Sequence, residues 1–207
     1  MTEAPTRLFV IAAPSGAGKT TLVHATVLNR SDLRFSISYT TRPRRSNEVN
    51  EKDYFFVSKL DFKEMHAAGA FLESATVFDN LYGTSRAQVE DTLAAGQSVV
   101  LEIDWQGAQQ VRESMPDCVT IFIMPPSRRE LERRLRDRRT DTDAVIERRL
   151  RDALSDMEHW SEFDFVIIND DLNVAVADLE AVFAGAGQEF STENPDLQAR
   201  VSEIIGL

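Results

Sequence analysis

The sequence predicts an α/β fold: a parallel sheet with helices on both faces, interrupted by a small mixed α/β lobe and a helical, arginine-rich segment. Three observations carry this. Short apolar runs, each the length of one strand, alternate with helical patterns, as expected of strands buried on both faces. A glycine-rich segment joins the first run to the first helical pattern. Between about Ser38 and Tyr82 the alternation breaks down.

The strand-length runs are Leu8–Ala12, Val99–Ile103, Val119–Met124 and Phe165–Ile168. Helical patterns cover Thr20–Leu28, Ser85–Ala95, Gln106–Ser114, Ser127–Asp137, Thr142–His159 and Leu172–Ala184. A last one lies near Asp196–Ile205, after Pro195. Ser127 precedes Glu130 by three residues, a capping-box spacing, so a helix starts there. The interrupting stretch holds strand-like pieces at Tyr54–Val57 and Phe71–Val77 around a small helix, Lys59–Ala68. Residues 136–143 are too polar for a core and read as a loop between two helices. In the last helix, Leu197, Val201, Ile204 and Leu207 form an apolar set that could cover the core or form a homo-oligomer contact; core packing is the expectation.

The 207 residues suit one α/β domain with insertions, and 43% hydrophobic residues suffice for a core. The formal net charge of −11 argues against general nucleic-acid binding. The charge is uneven: residues 128–151 contain ten arginines, whereas from Asp152 onward Arg200 stands alone against many acids. A second basic cluster is Arg42, Arg44 and Arg45. Cys118 is the only cysteine, which excludes an internal disulfide, and its place at the start of an apolar run suggests a buried small hydrophobe. With no signal-peptide pattern this predicts a cytoplasmic protein. No apolar run approaches the about 20 residues that span a bilayer, so no membrane partner is expected. The three histidines are scattered and suggest no metal site of their own.

The segment Ala13-Pro14-Ser15-Gly16-Ala17-Gly18-Lys19-Thr20 joins a strand to a helix. That order makes a phosphate cradle of the P-loop NTPase type. Glycines let backbone N–H groups converge on phosphate oxygens, and the helix N-terminus adds its own donors and partial positive charge. Lys19 can reach the β and γ phosphates, and the Thr20 hydroxyl can ligate Mg²⁺.

Other residues point to the second substrate. Arginine forks such as Arg42, Arg44 and Arg45 bind phosphate bidentately, although alone they are equally a solvated surface cluster. Glu73, in Phe71-Leu72-Glu73, could accept hydrogen bonds from adjacent ring donors. Guanine offers such a pair at N1 and N2, whereas adenine presents an acceptor at N1, so a site built for one base rejects the other. The run Val99–Ile103 carries Glu102 and is followed by Asp104; along a strand these two would share a face near the nucleotide crevice. Phosphoryl transfer needs cations on the moving group, often from a closing lid, and Arg138 and Arg149 are the best placed of the arginine-rich stretch. Asn169-Asp170-Asp171 follows the last core run, where a base or ribose could dock.

Taken together, these residues resemble the guanylate kinase family of bacterial type, from Leu8 to about Phe190. The matching pieces, in order, are residues 13–20, S-Y-T-T-R-P-R-R (38–45) with E-V-N-E-K-D-Y (48–54), F-L-E (71–73), Y-G-T-S (82–85), L-E-I-D-W-Q-G-A (101–108), P-P-S (125–127), the arginine-rich segment and I-I-N-D-D (167–171). The chain departs from common family residues at Ala13, Glu102 and Arg139. The resemblance implies a core (1–37, 91–127 and 159–207), a GMP-binding lobe (38–90) and a lid (128–158). It implies Mg²⁺-dependent transfer from ATP to GMP, giving ADP and GDP, in purine nucleotide metabolism. It assigns ATP to Ala13, Pro14, Ser15, Gly16, Ala17, Gly18, Lys19, Thr20 and Thr21, with Asn169 near adenine and Thr20 on the metal. It assigns the GMP phosphate to Arg42, Arg45, Tyr54 and Tyr82, and guanine to Ser38, Glu73, Thr84 and Asp104, with Glu102 close by. Lys19, Arg42, Arg138 and Arg149 would act on the transferring group. A sugar-phosphate kinase on the same scaffold would not need Glu73 with Thr84, and a protein-binding module would not need Lys19 and the lid arginines.

Overall fold

The computed structural model of the protein describes residues 6–27, 30–77, 79–137 and 143–206. Its strands form two sheets. The larger has the order β2-β7-β1-β8-β9: Leu33–Phe35 (β2), Ser98–Glu102 (β7), Leu8–Ala12 (β1), Val119–Met124 (β8) and Phe165–Ile168 (β9). Central β1 is buried along its whole length, which is why it reads as an unbroken apolar run rather than an alternation. β2 pairs in parallel with β7 (Leu33 opposite Ser98), and β8 with β9 (Ile121 opposite Phe165). The smaller sheet has the order β4-β3-β6-β5: Phe55–Phe56 (β4), Tyr39–Thr40 (β3), Asn80–Ser85 (β6) and Phe71–Val77 (β5).

The helices are Lys19–Val27 (α1), Lys59–Ala67 (α2), Arg86–Ala94 (α3), Trp105–Ser114 (α4), Arg128–Asp137 (α5), Asp143–Met157 (α6), Leu172–Phe183 (α7) and Pro195–Ile205 (α8). A 3₁₀ turn, Glu158–Glu162, continues from α6, so the helical pattern extending to His159 is right in extent but tightens at its end. Ends are set by local chemistry. Ser85 caps α3 rather than opening it, accepting from the Gln88 N–H. Ser127 caps α5 through the Glu130 N–H at 3.1 Å, while the Glu130 side chain turns to arginines instead. A full capping box forms at Ser58 and Asp61 of α2. Asn194 caps α8, with Pro195 in its first turn. In α8, Leu197, Val201 and Ile204 are buried within the chain, as the core-packing expectation required; Leu207 lies outside the described residues. Cys118 is buried. Among the described residues no helix is long and apolar enough to cross a membrane.

The chain divides into two compact units. Unit 1 is Met1–Val10, Ser31–Leu101 and Gln106–Cys118; unit 2 is Ile11–Arg30, Glu102–Trp105 and Val119–Leu207. Unit 1 contains the smaller sheet. There β5 and β6 form an antiparallel hairpin in register from Glu73–Thr84 to Val77–Asn80, with a bulge between Phe71 and Glu73. β3 adds antiparallel to β6, and β4 adds parallel to β3. Phe62 of α2 stacks on Phe71 at 4.5 Å between centroids. Unit 2 holds the glycine-rich loop, α1 and α5–α8.

Candidate active site

In unit 2 the loop between β1 and α1 is shaped by its glycines. Gly16 and Gly18 have φ of 93° and 89°, a region that side chains resist. A Cβ on Gly18 would lie 2.5 Å from Asn169 Nδ2, so close approach as well as φ requires glycine there. Leu131 and Leu135 of α5 pack against Gly16. Ala13 and Ser15 are half-buried, Pro14 and Ala17 buried, and Thr21 exposed in the first turn of α1.

The side chains around the loop end largely on main-chain oxygens. Lys19 Nζ donates to the Ile103 carbonyl at 2.6 Å. Asn169, only 5% exposed, donates through Nδ2 to the Ala17 carbonyl at 2.8 Å. Arg134 of α5 donates to the same carbonyl at 3.3 Å and to the Asn169 carbonyl at 3.0 Å, while its Nε holds Glu130 at 2.8 Å. Arg134 was not among the sequence-derived site residues. Its spacing from Glu130 marks a surface ion pair, and it makes that pair too. Arg133 and Arg134 hold the Glu130 carboxyl well below its usual range, at about 2.

The Thr20 hydroxyl donates to the Glu102 carboxylate. Two oxygen groups in contact at the mouth of a phosphate loop suit a hard cation such as Mg²⁺, which takes few protein ligands and completes its shell with water and phosphate. Among the described residues no cluster of three or more His, Cys, Asp or Glu could hold a metal ion. Glu102 and Asp104 do not share a strand face as the alternation argument required. β7 ends at Glu102, and Asp104 lies in the turn before α4. Arg149 is half-buried on α6; Arg138 and Arg139 lie outside the described residues.

In unit 1 a second cluster is built from side chains. Arg42 forms a fork on Glu48, with Nη2···Oε1 2.7 Å and Nη1···Oε2 3.1 Å, both side chains largely buried. Glu48 Oε2 also accepts from the Arg45 backbone N–H at 2.8 Å, and the Glu48 carbonyl accepts from Arg44 at 3.2 Å. Arg42 accordingly holds the Glu48 carboxyl below its usual range, while Glu48 raises the arginine. The guanidinium carbon lies 5.4 Å from the Tyr54 ring centroid, and Tyr54 meets Tyr82 edge-on at 6.0 Å. The structure therefore gathers Arg42, Tyr54 and Tyr82 around one another. The Arg45 side chain stays 68% exposed and joins mainly through its backbone. Glu48 is the organiser that sequence reasoning missed; an acid six residues from a conspicuous arginine was the available signal.

Glu73 is 4% exposed, which rules out a strand-end carboxylate in water. The bulge brings it directly opposite Thr84, whose hydroxyl donates to Glu73 Oε1 at 2.6 Å. Ser38 lies one residue before β3, its carbonyl accepting from Phe55 N–H at 2.9 Å. The predicted pair Glu73 and Thr84 is thus brought together within one unit.

Comparison with known proteins identifies the family. The family model for guanylate kinase matches residues 5–186. A guanylate kinase of Methylococcus capsulatus is 51% identical over 199 residues, covering 96% of this chain and 98% of its own. That of Escherichia coli K12 is 44% identical over 200 residues, covering 96% and 97%. The crystal structure of guanylate kinase from Anaplasma phagocytophilum superposes with a TM-score of 0.73 at 30% identity, covering 99% of this chain and 98% of its own. The match takes in the glycine-rich loop, the Glu48-centred arginine cluster and the Glu73–Thr84 pair alike: the chain belongs to the guanylate kinase family.

Proposed function

We propose that the protein transfers the γ-phosphoryl group of ATP to GMP, giving ADP and GDP. The observation that carries the choice of acceptor is the buried Glu73 carboxylate with Thr84 across the strand pair. Adjacent N–H donors on a ring satisfy such a carboxylate, and guanine supplies them at N1 and N2. Adenine would set an acceptor lone pair against a buried charge, a mismatch of the kind that gives large discrimination.

The chain's residues then divide the work. Residues 13–21 cradle the ATP phosphates through backbone N–H groups, and Lys19 neutralises charge on the β and γ phosphates. Asn169 and Arg134 hold the Ala17 carbonyl and so keep the loop's amides convergent; in this reading Asn169 also lies near adenine. Thr20 and Glu102 would hold Mg²⁺, which supplies positive charge to the phosphates when bound. Arg42, Arg45, Tyr54 and Tyr82 bind the GMP phosphate, and Ser38, Glu73, Thr84 and Asp104 read the base. Arg138 and Arg149 stabilise the transferring phosphoryl. The residues assigned to a GMP lobe, 38–90, fall within unit 1, and those assigned to a lid, 128–158, within unit 2. No covalent intermediate is required, because positioning and charge stabilisation suffice. A soluble protein acting in the cytoplasm fits this reading.

The test is ATP- and Mg²⁺-dependent ADP release with GMP, AMP, CMP, UMP or no acceptor. Release with GMP far above the others is expected. Equal release with AMP would remove guanine reading from Glu73.

A further inference from the structure

The roles above leave unused a built contact in unit 2. Trp105, the first residue of α4, donates its indole N–H to Asp156 near the end of α6, Nε1···Oδ1 3.1 Å. The same indole stacks on His159, with ring centroids 3.5 Å apart and planes 11° apart. His159 Nδ1 in turn faces Glu162 Oε1 at 2.5 Å. The far end of α6 is thus fixed to the turn after β7 by a directional bond and a flat stack, in a half-buried setting.

Both ends of this clasp lie on segments that carry assigned site residues. Trp105 follows Asp104 in sequence and lies three residues from Glu102, which holds Thr20. On α6 the buried stripe is Ile146, Ala153 and Met157. Arg149 and Asp156, seven residues apart, flank that stripe on one side, within about 20° of each other around the axis and about 10 Å along it. Rotation of α6 that would redirect Arg149 would therefore pull Asp156 from Trp105. Simple packing is a poor account of Asp156. Its burial pushes the carboxyl up, with the negative charge of Asp104 and Asp152 adding and the Trp105 N–H opposing, so the group costs more to bury than an apolar side chain.

We infer that Trp105 and Asp156 are positioning residues: their hydrogen bond, seated by the Trp105–His159 stack, fixes the rotation of α6 and with it the direction in which Arg149 is presented to the transferring phosphoryl group. This rests on the role of Arg149 given above. It adds to the reaction two residues that act through Arg149.

Three variants test it: Trp105→Phe keeps an aromatic ring to stack but loses the donor, Asp156→Ala loses the acceptor, and Asp156→Asn keeps one. kcat, both KM values and Tm are measured for each, and Trp105→Phe is repeated in an Arg149→Lys background. Trp105→Phe and Asp156→Ala are expected to lower kcat about tenfold with both KM values within about twofold, while Asp156→Asn stays within about threefold of the parent. In the Arg149→Lys background, Trp105→Phe should cost little further kcat, because the two changes act through one group. Should Asp156→Ala fail to fold, Trp105→Phe carries the test. A lowered Tm with unchanged kcat would make the clasp mere packing and overturn the inference. So would an equal loss of kcat in both backgrounds. Unchanged kcat for Arg149→Lys alone would instead remove the assigned role of Arg149, and the inference with it.

Discussion

The glycine-rich loop of unit 2 and the Arg42 cluster of unit 1 are both assigned to phosphate, yet they are made differently. Around the loop, Lys19, Asn169 and Arg134 all donate to main-chain oxygens, and the shape depends on two glycines with positive φ. Around Arg42 the contacts run from side chain to side chain, through the Glu48 fork and the Tyr54 and Tyr82 rings. A backbone-built site presents N–H groups that any nucleoside triphosphate can use. A site built from side chains can be tuned to one acceptor, and depends on each partner holding the next in place. In the proposed reaction the first would set how fast phosphoryl moves, and the second would hold the acceptor's phosphate in unit 1, where Glu73 and Thr84 choose its base.

The largest break in that comparison should come at Lys19. Lys19→Ala is expected to lower kcat/KM about a thousandfold, by loss of charge stabilisation in the transition state. GMP affinity measured by calorimetry should stay within about twofold. Loss of GMP affinity of similar size would mean that the two sites do not divide the work. Glu48→Gln sharpens the other side. It keeps the shape but halves the charge-assisted fork, so KM for GMP should rise about tenfold with KM for ATP unchanged. Because Arg42 lowers the Glu48 carboxyl, the fork's contribution to stability is complete above the usual carboxylate range and is lost as pH falls through the lowered folded value. An acid titration of Tm should therefore separate Glu48→Gln from the parent at neutral pH and bring them together at low pH. The smallest effect belongs to Ser58→Ala, which removes the capping box of α2 within unit 1 but touches neither phosphate site. It should cost about 1 kcal/mol of stability by chemical denaturation and leave both KM values alone.

How much of this was legible in the sequence follows from which contacts are local. β1, β8 and β9 read correctly to the residue because strands buried over most of their length leave runs that are apolar but for Thr120. β2, β3 and β6 did not stand out. The first two are three and two residues long, and Asn80–Ser85 has no apolar alternation; its pairing with β5 defines it. The loop glycines, Lys19 and Glu73 announced themselves because their chemistry is unusual for their position. The bulge that aims Glu73 at Thr84 left no trace in residue type. Glu48, Arg134 and the Trp105–Asp156 pair stayed hidden because partner choice is tertiary: Arg134 looks like a helix-surface arginine, and its bonds to Ala17 and Asn169 span 117 and 35 residues.

The most direct test of the division between rate and choice is the ratio of kcat/KM for GMP to that for IMP, which lacks the N2 amino group, in the parent and in Glu73→Gln. The account predicts a parent ratio of about a hundredfold or more, collapsing towards unity in Glu73→Gln while KM for ATP is unchanged. A ratio preserved in Glu73→Gln would contradict it and place base recognition elsewhere.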